Sequence, residues 1–91
     1  MNEIIKYQSD YFYITEEIIP NRKTPIYNII NNNNLKIGQI KWYGPWRKFC
    51  FYPYPDTIWD NNCLQQLLDC INTLNKEYKL KEKNGDKKYE I

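Results

Sequence analysis

Ile37-Gly38-Gln39-Ile40-Lys41-Trp42-Tyr43-Gly44-Pro45-Trp46-Arg47-Lys48-Phe49-Cys50-Phe51-Tyr52-Pro53 is the stretch that decides the fold. On each side of the break at Tyr43-Gly44-Pro45-Trp46, apolar and polar residues alternate. Alternation with period two sends successive side chains to opposite faces of a strand. The spacing therefore predicts two strands, about Lys36–Trp42 and Arg47–Tyr52, folded into a hairpin. With Tyr43 to Trp46 as the turn, Trp42 opposes Arg47, Ile40 opposes Phe49 and Gly38 opposes Phe51. One face then carries Ile40, Trp42, Phe49 and Phe51, apolar enough to lie under a second layer. The other carries Gln39, Lys41, Tyr43, Trp46, Lys48, Cys50 and Tyr52. Pro53 and Pro55 end the second strand, because proline has no N–H for the ladder.

Upstream, residues 11–19 are rich in β formers and predict a strand with Phe12, Ile14 and Ile18 on one face. Pro20-Asn21-Arg22-Lys23 reads as a turn, and Ile26–Ile30 as a further strand. The Asn31–Asn34 run closes that strand with a loop whose side chains tolerate positive φ. Downstream, Asp60 is a good N-cap, with Trp59 before it and Leu64 four residues after it in the spacing of a hydrophobic staple. Leu64, Leu67, Leu68, Ile71 and Leu74 follow helical spacing as one apolar stripe, flanked by Cys63, Cys70 and Tyr78. The helix is predicted from about Asn61 to Lys76 or beyond. Two continuations fit the tail. Asn84-Gly85 suits a short hairpin pairing Glu82 with Lys87, Leu80 with Tyr89 and Tyr78 with Ile91, and a helix fraying into a mobile charged tail over 79–91 is its rival. The predicted class is α+β: one domain over residues 1–91, a four-stranded antiparallel meander packed on one C-terminal helix.

The chain has 91 residues with a formal net charge of +2, near the globular norm in apolar content at 42%. There is no Ala, Val or His, and Asn, Ile, Lys and Tyr together supply 45 residues. That bias follows A/T-rich codons, so the Asn run carries no functional weight. Gly, Pro and Trp run against the bias, and they crowd between Gly38 and Trp59. Without His the commonest general base and metal ligand is missing. Cys50, Cys63 and Cys70 form no C-x-x-C, so no metal site and no cofactor is expected. An odd cysteine count and the lack of a charged-then-apolar leader or a membrane-length apolar run read as a reduced, cytoplasmic protein with no membrane partner.

The string from Gly38 through Trp42-Tyr43-Gly44-Pro45-Trp46-Arg47, followed by an aromatic strand, Pro53 and the Thr57-Ile58-Trp59-Asp60 entry into a helix, resembles a family of small bacteriophage and mobile-element proteins. Their shared pattern is G-x-I-K-W-Y-G-P-W-R, and the match spans about residues 24 to 78. The resemblance implies a small phage accessory protein acting in the host cytoplasm, and some such proteins disarm host defences. It carries over no catalytic residue.

The candidate working face is Lys41, Tyr43, Trp46, Arg47, Lys48 and Tyr52. No acidic residue lies between Glu17 and Asp56, while Arg22, Lys23, Lys36, Lys41, Arg47 and Lys48 give that stretch +6. Exposed Trp, Tyr and Arg suit a protein partner, here the first expectation. Aromatics interleaved with lysines also suit nucleic acid or a nucleotide, and an exposed strand edge suits a homodimer. A purely structural reading stands beside these: the lysines as anti-aggregation charges, Tyr43 and Trp46 as a second small core, and Arg47 stacked on Trp42 as a cation–π pair. Catalysis is not expected. Glu16 and Glu17 face opposite ways, Asp60 is a cap, Asp69 lies on the polar side of the helix, and Cys50 has no histidine to activate it.

Overall fold

A computed structural model of the chain describes the backbone of residues 3–90 and the side chains of residues 3–81. Five antiparallel strands form a meander in the order β1-β2-β3-β4-β5. They are β1 (Glu3–Gln8), β2 (Phe12–Glu17), β3 (Ile26–Asn31), β4 (Lys36–Tyr43) and β5 (Lys48–Pro53), followed by one helix, α1 (Asn61–Glu90). The α+β architecture is the expected one, with one strand more than the four anticipated. The added strand, β1, pairs with β2 through a register shift between Ile5 and Tyr7 that takes in Lys6. A bulge there breaks the period-two pattern by which a strand is recognised. Both isoleucines of β1 are also largely exposed, so no buried face marks it.

The helix-facing side of the sheet buries Phe12, Ile14, Tyr27, Ile29, Ile40 and Phe49 against Leu67 and Leu74 of α1. Two aromatic clusters close the ends of this layer. At one end Trp42 lies 5.4 Å from Phe49 and 4.5 Å from Tyr78, centre to centre. At the other Trp59 packs 4.9 Å from Phe51 and 6.4 Å from Phe12. Phe51 in turn explains Gly38: a Cβ there would lie 2.9 Å from the Phe51 ring and 3.1 Å from the Tyr52 carbonyl oxygen.

Several expectations need correction. The β4–β5 register pairs Trp42 with Phe49, Ile40 with Phe51 and Gly38 with Pro53, two residues from the anticipated pairing. A shift of two leaves every side chain on its predicted face, because the side-chain period is two. Its cause is the turn: Gly44–Trp46 make one 3-10 turn and Arg47 takes the left-handed conformation at φ 54. The connection is thus Gly44–Arg47, not Tyr43–Trp46. Ile18 lies beyond β2 and is exposed, because the strand ends at Glu17. On α1 the Asp60 carboxylate accepts from the Cys63 N–H at 2.8 Å, as a cap should. Of the expected staple pair, Trp59 packs on Phe12 and Phe51, while Leu64, like Leu68, remains more than 40% exposed. The buried stripe is Leu67 and Leu74, edged by Cys63, Cys70, Ile71 and Tyr78. Of the two continuations of the tail, the backbone takes the helix to Glu90, so no hairpin forms about Asn84-Gly85.

On the open face, fully buried Asn28 donates to Glu3 Oε1 at 3.1 Å and Glu17 Oε1 at 2.9 Å, and accepts from Gln39 at 3.0 Å. The Thr15 hydroxyl donates to Glu3 and holds its carboxyl below the usual range, with Asn28 and the Lys36 ammonium adding to the effect against a smaller desolvation. A carboxylate whose pKa is lowered by folding stabilises the fold above its unfolded pKa of about 4.3, and that contribution is lost as pH falls through the folded value. Urea midpoints are therefore expected to drop as pH is lowered below about 4, and Glu3→Gln to flatten the drop. An unchanged pH profile in that variant refutes the coupling.

Candidate functional site

The hairpin β4–β5 carries its turn at one end of the sheet, and the open face near that turn collects Tyr43, Trp46 and Tyr52 outside the core. The 3-10 turn is favoured by Pro45, whose fixed φ suits its first turn. The Arg47 N–H closes it onto the Tyr43 and Gly44 carbonyls at 3.0 and 3.1 Å. This geometry carries Trp46 back over the open face, where its ring meets Tyr43 edge-on at 5.0 Å and 80°. Trp46 is 66% exposed.

Tyr43 and Lys48 are cross-strand partners, and the Lys48 ammonium lies 5.9 Å from the Trp46 ring centre. Further along, Lys41 sits over the Tyr52 ring at 4.6 Å. Both contacts fall within the range of cation–π attraction. Between these groups lies a shallow, largely apolar depression of about 200 Å³, walled by Tyr43, Trp46, Cys50, Phe51 and Tyr52. The structure thus gathers Tyr43, Trp46 and Lys48 into one group and Lys41 with Tyr52 into its neighbour, with Arg47 exposed at the tip. Arg47 does not stack on Trp42: the left-handed turn sets it apart, and the Trp42 ring is taken by Phe49 and Tyr78. Cys50 and Phe51 complete the depression. Alternation places Cys50 on this face, whereas it places Phe51 on the helix side, where the ring packs against the core and still lines the depression.

A second concavity, of about 130 Å³, opens where α1 crosses the sheet and brings Lys6, Glu16, Tyr27, Glu77 and Tyr78 together. The Tyr27 hydroxyl donates to Glu16 Oε2 at 3.1 Å, and burial together with that carboxylate pushes the phenol well above its usual range. Such a phenol stays protonated at neutral pH and does not serve as a base there. Burial likewise pushes the Cys63 and Cys70 thiols up, as expected of small packing groups rather than nucleophiles. Among the described residues, no group of three or more His, Cys, Asp or Glu is placed to hold a metal ion. No helix of the described residues is long and apolar enough to cross a membrane.

Comparison with known proteins places the chain. A 9.3 kDa uncharacterized protein of Acholeplasma phage L2 is 31% identical to it over 72 residues, which cover 78% of this chain and 92% of that one. This chain belongs to the family of that phage protein. No family profile and no solved structure matches it. The phage relative spans nearly its full length in the match, so the likeness is to a whole small protein rather than to a fragment of a larger one.

Proposed function

We propose that this phage-family protein is a non-catalytic accessory protein that acts by occlusion, binding a host protein such as a defence component through the open sheet face at its turn end. The contact residues are Lys41, Tyr43, Trp46 and Arg47 of the G-x-I-K-W-Y-G-P-W-R string, with Lys48 and Tyr52 of the strand that follows it. The observation that carries the reading is Trp46: an indole 66% exposed, propped edge-on by Tyr43 and flanked by Lys48. Leaving an aromatic ring in water forgoes the stabilisation that burial gives, and a rigid exposed Trp beside cations is the typical anchor of a protein interface. Binding of a nucleic acid or nucleotide is the second reading, favoured by the Lys41 ammonium lying over the Tyr52 ring in a stretch free of carboxylates.

The test is retention of host components on the immobilised chain, with and without nuclease. Trp46→Ala is expected to abolish retention of a protein that survives nuclease treatment, a loss of about 2 kcal/mol or more in binding. Because Trp46 lies outside the core, its thermal midpoint should hold. Lys41→Glu with Lys48→Glu should weaken the same complex less. If instead nuclease abolishes retention, with a steep salt dependence and complete loss in the double glutamate variant, the ligand is nucleic acid. Retention indifferent to both variants overturns the site.

A further inference from the structure

The two ends of the sheet differ in charge and in shape. The turn end holds the connections β2–β3 and β4–β5, and so Arg22, Lys23, Arg47 and Lys48. Of the carboxylates at that end, Glu3, Glu16 and Glu17 are hydrogen-bonded to Thr15, Tyr27 and Asn28 on the β1–β3 side and Glu77 lies on α1, whereas the β4–β5 turn carries none. Trp46 protrudes there. The opposite end holds the connections β1–β2, β3–β4 and the segment leading into α1. Its carboxylates are Asp10, Asp56 and Asp60, with Lys36 the one cation. Between them lies a groove of about 540 Å³ walled by Tyr11, Leu35, Ile37, Ile58 and Cys63. That volume is within the roughly 300–1,000 Å³ of clefts that take whole rings.

The groove is built, not incidental. The Thr57 hydroxyl donates to the Tyr54 carbonyl at 2.8 Å and accepts from the Trp59 indole at 2.9 Å. This bracket commits Trp59 to the core and turns Ile58 outward, where it is 96% exposed. Leu35, on the facing β3–β4 connection, is 61% exposed. Two aliphatic side chains held apart in water around an apolar trough form a surface that awaits an apolar partner.

We propose that the occupant is the aromatic turn of a second copy of this chain, so that copies join head to tail, Trp46 of one seated in the Leu35–Ile58 groove of the next. Charge decides the arrangement. A groove-to-groove pair would set Asp56 and Asp60 against their own copies, and a turn-to-turn pair would set Arg47 and Lys48 against theirs; like charges in an interface are strongly unfavourable. Only the head-to-tail contact brings the cationic rim against the acidic rim while burying an exposed indole among exposed aliphatics. The eight residues of β4 separate the two ends by about 25 Å, beyond the Debye length of about 8 Å, so the Arg47 and Lys48 cations of the β4–β5 turn act apart from the carboxylates of the groove. A contact between unlike surfaces need not close on itself, and open growth follows. The inference is independent of a host partner, for it needs only the two ends of this chain.

Sedimentation velocity and light scattering of the purified chain over a concentration series test it. Association past the dimer is expected at low salt and should weaken as salt is raised. Trp46→Ala removes the knob and Ile58→Lys sets a cation against the incoming cations, so each variant alone is expected to stay monomeric. Mixed, they retain one intact knob and one intact groove between them and should form a one-to-one dimer that grows no further. Both positions are largely exposed, so the variants should fold, and circular dichroism verifies it. A native chain that is monomeric throughout, a dimer that stops at two copies, or a mixture that stays monomeric overturns the proposal. Because Ile58 lies outside the host-contact residues, Ile58→Lys should retain host binding, and the two readings fail separately.

Discussion

Replacing Leu74 by alanine is expected to lower the free energy of unfolding by about 2–5 kcal/mol. Leu74 is 2% exposed and sits where α1 crosses the sheet, against Tyr27 and Phe49. Its removal takes away transfer energy and leaves a void that strands cannot collapse to fill, because each is pinned by its ladder. A domain of this size has about 5–15 kcal/mol in all, so a substantial part of the chain should be unfolded at mild denaturant. The control is Leu68→Ala. Leu68 is 48% exposed, and its loss should cost less than about 1 kcal/mol. Urea denaturation of both variants checks the rotation of the helix. If Leu68→Ala costs as much as Leu74→Ala, the stripe on α1 is not the one described.

The second large effect is expected at Asn75. β5 is the last strand of the sheet, and its outer main chain needs partners. At Phe49 the Asn75 side chain supplies both: its oxygen accepts from the Phe49 N–H at 2.7 Å, and its amide donates to the Phe49 carbonyl at 3.2 Å. The primary amide thus stands in for a residue of a sixth strand and ties the helix to the sheet edge. Asn75→Ala leaves a buried N–H and carbonyl unpaired, at a cost of about 1–3 kcal/mol. Hydrogen exchange at the Phe49 amide should accelerate accordingly, while core amides on β3 follow only the global loss. Unchanged protection at Phe49 would mean that the edge is closed by something else.

These two residues illustrate how much of the fold was legible. The position of Leu74 follows from helical spacing, and the buried face of β4 and β5 follows from alternation. Both are local periodicities that a chain carries whatever packs against it. Asn75 gave no such signal: a polar residue on a helix reads as solvated until a strand edge is found beside it. Leu64 and Leu68 misled for the converse reason. They continue the apolar stripe, but a flat sheet covers only one side of a helix, and the side it covers is set by Leu67 and Leu74. The candidate site was legible as a set of residues on one face. Its grouping was not, because the pairing of Trp46 with Tyr43 depends on a 3-10 turn and a left-handed Arg47 that spacing does not encode.

By itself, then, the sequence determined the class of the fold, the two faces of the central hairpin and the start of the helix at Asp60. Each depends on neighbours within a few residues: a period, a cap or a proline. Only the tertiary structure decided the register of β4 on β5, the recruitment of β1, the closure of the β5 edge by Asn75 and the groove beside Ile58. Those depend on contacts between segments far apart in the chain. A two-residue slip or a bulged edge strand leaves the local pattern of hydrophobicity almost unchanged, and what selects among them is the fit of Phe51 over Gly38, of Leu74 against the sheet and of Glu3 against Thr15 and Asn28.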